Sequence, residues 1–190
     1  ANNFFIEICK NLKKDILEEY KNLDKKKLGG HFMGNLGVSP GKYCKIIYNI
    51  LIENGLDKII EEISKNKFSD FDISIGGNLS LPGGFDQHFH TDGSFENKFI
   101  IINLATENIG EFNGPLEIFC NTHKTYLPYW KFFLKKNKTT KFLLSRGDIV
   151  IRKNGLWHRG TKNNSDQPRF LLAITLTKKD KKINQQSFEE

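Results

Sequence analysis

His90 and Asp92 stand one residue apart, and His158 and Arg169 follow well downstream. In an extended chain, residues i and i+2 point to the same face, so His90 and Asp92 can offer an imidazole and a carboxylate to one ion. His158 lies in Leu156-Trp157-His158-Arg159, on a different short strand. In a jelly roll, strands distant in sequence become neighbours. Two imidazoles and one carboxylate on one side of a metal leave its other positions open, which is the ligand set of non-haem Fe(II) oxygenases. Open positions suit a 2-oxo acid, which chelates at two of them while O2 takes the third. Arg169, eleven residues after His158, has the planar fork that grips a carboxylate through two parallel hydrogen bonds. Arg152 and Arg159 compete for that role, but Arg159 adjoins His158 and is expected on the opposite face of its strand. An H-x-D pattern also arises by chance. Two ordinary hydrogen-bonded histidines and a surface salt bridge at Arg169 fit the same spacing.

The elements that must position these groups change character along the chain. Phe4, Phe5, Ile8, Leu12, Ile16 and Leu17 recur at helical spacing. Residues 23–38, with four glycines, read as a loop. Ser39-Pro40 reads as a helix start, followed by Tyr43, Ile46, Ile47, Ile50 and Leu51, with Gly55 closing the helix. Leu56, Ile59, Ile60 and Ile63 mark one more helix. From Phe71 the apolar period becomes strand-like. Strands are expected at 71–75, 85–90, 99–104, 115–120, 140–144, 149–152, 156–159 and 170–177, a spacing that suits a β-sandwich or barrel. Residues 121–138, basic and aromatic, read as an insertion with a helical turn, and 178–190 as a polar tail. The expectation is one domain over 1–190, helical to about residue 68 and β from about 70 to 178.

The 190 residues can bury a substantial core without a disulfide or structural metal. At 38% hydrophobic and 27% charged residues the composition is globular. No apolar run approaches the ~20 residues of a membrane span, and no secretory leader is visible. Cys9, Cys44 and Cys120 lack metal or redox spacing and read as buried free thiols in a reducing, cytoplasmic setting. The net charge of +7 is carried by scattered lysines, so no nucleic-acid partner is expected.

Four stretches resemble the phytanoyl-CoA dioxygenase family of 2-oxoglutarate-dependent oxygenases. They are Leu81-Pro82-Gly83-Gly84 through Gln87 to His90-Thr91-Asp92-Gly93; Asn113-Gly114-Pro115-Leu116 followed by Thr122-His123-Lys124; Arg146-Gly147-Asp148 leading to Trp157-His158-Arg159-Gly160; and Asn163-Asn164-Ser165 with Pro168-Arg169. The resemblance implies a mainly β fold, a double-stranded β-helix (the cupin-like jelly roll) with N-terminal helices packed on one side. It implies Fe(II), 2-oxoglutarate as co-substrate, O2, and release of succinate and CO2. His90, Asp92 and His158 become the metal ligands, and Arg169 the anchor of the oxo acid. Gln87, Thr161 and Asn103 become candidate co-substrate contacts, although simple turn and strand roles fit Thr161 and Asn103 equally. His88 is a candidate substrate contact or a structural hydrogen bonder. Related halogenases leave the carboxylate out to make room for halide, so Asp92 favours hydroxylation or desaturation of a small molecule. Phe85, Phe89, Phe99, Phe119 and Trp157 are candidates to line a dry cavity. Two alternatives use the same residues: a cupin-like metalloprotein that does not take 2-oxoglutarate, and a non-catalytic binding protein that keeps the fold.

Overall fold

The computed structural model describes residues 3–22, 34–38, 41–93, 99–124, 126–134 and 138–179. Helices α1 (Asn3–Asn22), α2 (Gly41–Glu53) and α3 (Leu56–Ser64) lie in the first third, with the short strand β1 (Asn35–Val38) between α1 and α2. The remaining strands are β2 (Phe71–Ser80), β3 (Phe99–Ala105), β4 (Leu116–Ile118), β5 (Thr140–Phe142), β6 (Ile149–Lys153), β7 (His158–Gly160) and β8 (Arg169–Lys178). Helix α4 (Tyr129–Leu134) sits between β4 and β5. All ladders are antiparallel, in a five-stranded sheet ordered β1-β2-β8-β3-β6 and a three-stranded sheet ordered β5-β4-β7.

Strand parity divides the large sheet into two working faces. On β8, Phe170, Leu172, Ile174 and Leu176 are fully buried and join the core formed with α1, α2 and α3. The alternate residues Arg169, Leu171 and Ala173 line a pocket on the other side. β3 repeats the pattern, with Ile102 and Leu104 in the helix-side core and Asn103 on the pocket. Residues facing each other across an antiparallel pair share a face. The register Asn103↔Ala173 and Ile101↔Arg152 therefore places Arg152 on the pocket side too. The helices cover the apolar face and leave the polar one for the site.

Several expectations need correction. Residues 35–38, read as loop, form β1, which adds an edge strand by pairing with β2. The Ser39-Pro40 helix start and the tail from residue 180 lie outside the described residues. Residues 85–90 are not a strand; only His90 makes an isolated bridge, to His158. The segment meets β7 only through His90 and the Gln87–Gly160 contacts, without a full ladder. Cys9 and Cys44 are buried, and burial pushes their thiols up to about 11 and about 12. Cys120, in contrast, is exposed. The insertion contains a 3-10 turn over 122–124 as well as α4. No helix among the described residues is long and apolar enough to cross a membrane.

The parity argument separates stability from site chemistry. Leu172→Ala removes a fully buried side chain from the helix-side core and should cost about 2–5 kcal/mol of stability in urea unfolding. It should leave metal binding intact in the folded protein, because its neighbours Leu171 and Ala173 are the ones that line the pocket.

Candidate metal centre between the sheets

The pocket holds about 190 Å³ and lies where the two sheets face each other. The large sheet contributes Asn78, Asn103, Arg152, Arg169 and Ala173, the small sheet Leu116, His158 and Gly160, and the connecting segment Gln87, His90 and Asp92. The segment is held against β7 by reciprocal backbone bonds between His90 and His158, 3.0 Å each way. Gln87 reinforces the same seam: its N–H donates to the Gly160 carbonyl at 2.9 Å, and its Oε1 accepts from the Gly160 N–H at 2.7 Å. A Cβ at residue 160 would come within 2.8 Å of that Oε1, so only glycine admits the contact.

This seam brings His90, Asp92 and His158 together, with one potential ligand atom from each within 4.8 Å of the others. Each imidazole is oriented by its own chain. Nδ1 of His90 lies 2.8 Å from the His88 carbonyl, and Nδ1 of His158 lies 2.8 Å from that of Leu156. A carbonyl can only accept, so Nδ1 is the protonated nitrogen of each ring, and the neutral form of each leaves its Nε2 lone pair for an ion. Nε2 of His158 is 3.3 Å from Asp92 Oδ2, and Nε2 of His90 is 3.9 Å from Oδ1. The donor types and their convergence fit Fe(II), with nitrogen and oxygen ligands on one side.

The electrostatics keep His158 and Asp92 in forms that can bind a cation. Burial and the charge of Arg152 push His158 down to about 4, against the pull of Asp92, so the ring is neutral at physiological pH. For Asp92, burial acts upward. The charge of Arg152 and its hydrogen bond, with the histidines adding only where they are protonated, outweigh it and hold the carboxyl below its usual value.

Arg169 is 2% exposed. Its guanidinium is held by neutral acceptors: the Gly114 carbonyl at 2.7 Å, the Asn78 side chain at 3.2 Å and backbone at 3.3 Å, and the Asn113 carbonyl at 3.4 Å. Gly114, at φ +77, lets its carbonyl come this close; a Cβ there would meet Thr161 O at 2.9 Å. Among the described residues no carboxylate pairs with Arg169. Glu107, whose charge still acts on it, is engaged by Lys13 at 2.9 Å. Burial lowers the Arg169 pKa to about 10, which still leaves the group charged.

Other sequence candidates fall differently. Asn103 lines the pocket, and its Oδ1 accepts from Arg152 Nε at 2.9 Å. Thr161 is buried, but its hydroxyl donates to the Pro115 carbonyl at 2.8 Å, and it does not line the pocket. His88 is exposed and only its carbonyl serves the site. Arg159 points outward, as expected, to Glu117 at 2.7 Å and Asp86 at 3.1 Å. Phe89, Phe119 and Trp157 form an aromatic cluster with Phe132 behind the site, and Phe85 is exposed; none of these lines the pocket, and neither does Phe99. Sequence reasoning missed Arg152, which it treated only as a rival anchor. Arg152 Nη1 donates to Asp92 Oδ2 while its Nε holds Asn103. The two-residue offset from Val150 on an alternating strand was the available signal.

The facing antiparallel sheets define a jelly-roll protein, and the two-histidine, one-carboxylate cluster between them is a candidate metal centre. The phytanoyl-CoA dioxygenase (PhyH) family profile matches residues 77–171, half of the chain, and the protein belongs to that family. No curated protein matches the chain by sequence. Among solved structures, EctD from S. alaskensis with 2-oxoglutarate and 5-hydroxyectoine superposes with a TM-score of 0.69 at 13% identity, covering 93% of this chain and 69% of its own. AviO1 from Streptomyces viridochromogenes Tue57 gives 0.68 at 14% identity, covering 94% and 86%. EvdO2 from Micromonospora carbonacea var. aurantiaca, complexed with 2-oxoglutarate, gives 0.60 at 14% identity, covering 77% and 67%. At these identities the likeness establishes the fold.

The tether from Arg152 leads to a specific expectation. Arg152→Gln should weaken Fe(II) or Co(II) binding about 10- to 100-fold in anaerobic titration calorimetry, the usual cost of losing a partner that orients a metal ligand. Unchanged affinity would show that Asp92 needs no such support.

Proposed function

We propose that the protein is an Fe(II)- and 2-oxoglutarate-dependent dioxygenase that hydroxylates a small-molecule substrate and releases succinate and CO2. The observation that carries this reading is a buried guanidinium, Arg169, facing no carboxylate among the described residues, in the same pocket as His90, Asp92 and His158. A buried charge without a counter-ion is costly, so the site asks for an anion. A dicarboxylate 2-oxo acid meets that need at one end and reaches the metal at the other. EctD has been solved with bound Fe and with 2-oxoglutarate, and EvdO2 with 2-oxoglutarate, which supports the same cofactors here.

In this reading His90 and His158 hold iron through Nε2 and Asp92 through its carboxylate, while Arg169 holds the far carboxylate of 2-oxoglutarate. Bound iron with its oxo acid supplies the activation of O2 that C–H oxidation requires. The chain supplies the rest. The Nδ1 hydrogen bonds fix both imidazoles, and Arg152 fixes Asp92 and the oxygen end of the Asn103 amide. The cavity is smaller than the roughly 300–1,000 Å³ of drug-sized ligand sites. It therefore suits the co-substrate, with the substrate approaching from its rim. Because Asp92 occupies the carboxylate position, hydroxylation is favoured over halogenation.

Anaerobic addition of Fe(II) and then 2-oxoglutarate should produce a weak visible charge-transfer band. His158→Ala should abolish it. Arg169→Gln should raise the 2-oxoglutarate needed for half-saturation by about 30-fold or more, the scale for truncating one partner of a buried charge pair. Tight metal binding without a band would favour a cupin-like metalloprotein that does not take the oxo acid. No metal binding would leave a binding protein that keeps the fold.

A further inference from the structure

The net charge of the chain is concentrated in one segment. The protein has 29 Lys and Arg against 22 Asp and Glu. Residues 118–147 contain seven of the basic residues and no acidic one, so the remainder of the chain is neutral. This segment also carries α4, whose side chains divide sharply. Phe132 is buried, stacked on Trp157 with ring centroids 4.3 Å apart and planes 11° apart, and Trp157 Nε1 donates to the Leu127 carbonyl at 3.2 Å. Tyr129, Trp130, Phe133 and Leu134 instead present 53–76% of their surface to solvent. Lys124, Lys131 and Lys138 are exposed around them, with the Lys131 ammonium 5.2 Å from the Trp130 ring centre.

We propose that α4 and its flanking lysines form a docking surface for an anionic lipid bilayer. Contiguous exposed apolar side chains of this size mark interaction sites. Tyr and Trp favour the headgroup level of a membrane, where an amphipathic ring has an apolar and a wet side. Phe133 and Leu134 offer hydrocarbon contact, and the lysines complement the negative surface of a phosphatidylserine-containing leaflet. Leucine and phenylalanine at the most exposed positions suit acyl chains better than the stacked bases of a nucleic acid, and the exposed Lys124, Lys131 and Lys138 oppose pairing with a second copy of the same face, although Lys141 further along is paired with Glu111. The anchoring is rigid: Phe132 and Trp157 belong to the cluster with Phe89 and Phe119, whose members adjoin His90 and His158 in sequence. Docking through α4 would thus hold the metal centre at a fixed attitude to the bilayer. The inference rests on charge and exposure and is independent of the oxygenase reading.

The test is flotation of the full chain with phosphatidylcholine–phosphatidylserine vesicles and with pure phosphatidylcholine vesicles, at low and physiological salt, followed by tryptophan fluorescence. Trp157 is buried, so a blue shift on binding reports Trp130. The wild type should bind the anionic vesicles with a blue shift and weaken as salt rises. Phe133→Ser with Leu134→Ser should lose the shift and bind more weakly by about tenfold or more; Lys131→Glu with Lys138→Glu should bind more weakly by about 30-fold or more. All four positions are exposed, and thermal melts confirm that the variants fold. Should the serine pair melt early, the charge-reversal pair carries the test alone. Absence of a preference for anionic vesicles overturns the proposal. So does binding that ignores both variant pairs, a solution dimer that the serine pair dissociates, or equal affinity for a single-stranded oligonucleotide.

Discussion

Two backbone hydrogen bonds, exchanged between His90 and His158, hold the centre of this molecule together. They tie the segment after Leu81 to the small sheet, and so set two imidazoles from distant parts of the chain side by side. Everything else that matters to the site is arranged around that seam. Gln87 and Gly160 lock it at one end, where only a glycine leaves room. The Nδ1 contacts to local carbonyls then turn both rings so that the same nitrogen faces inward. Neither histidine is positioned by long-range packing alone, which keeps the geometry precise on a short, three-residue strand.

The large sheet supplies the opposite wall, and its alternation explains how one strand serves two purposes. β8 buries Phe170, Leu172, Ile174 and Leu176 under the helices while it turns Arg169 toward the pocket. The burial of those four side chains stabilises the strand that holds the charged one. Arg169 is kept in place by carbonyls of residues 78, 113 and 114, none of which can neutralise it. Across the pocket, Arg152 links Asn103 to Asp92 and so joins the wall of the large sheet to the metal centre. The two arginines differ in their partners: Arg152 has a carboxylate, while Arg169 is held by neutral acceptors and pairs with no carboxylate among the described residues.

Much of this was legible in the residues. The one-residue spacing of His90 and Asp92, the downstream His158 and the start of a strand at Arg169 each had a geometric meaning that survives in three dimensions. The outward aim of Arg159 followed from period-two parity beside His158. What failed did so for identifiable reasons. Residues 85–90, with Phe85 and Phe89 beside turn residues, read as a strand, yet pair through little more than Gln87 and His90, because composition does not report which hydrogen bonds are made. β1 was hidden by glycines on an edge where packing, not propensity, decides. The aromatics were placed at the pocket because large apolar side chains suit a cavity; the fold uses Phe89, Phe119 and Trp157 to seat α4 instead. Thr161 lay near the right residues in sequence, but its hydroxyl was already committed to Pro115. Parity with Val150 puts Arg152 on one face of its strand, but that this face meets Asp92 depends on the register with β3, which one sequence does not print.

The central claim is that this pocket couples a metal to the oxidation of a 2-oxo acid. The most direct measurement is iron-dependent turnover of carboxyl-labelled 2-oxoglutarate by the purified protein in air, counting labelled CO2 against succinate. The account predicts equal amounts of the two, dependent on added Fe(II) and absent from His158→Ala. Protein that binds Fe(II) and 2-oxoglutarate yet releases neither product, even in the presence of ascorbate and a range of small-molecule substrates, would contradict it.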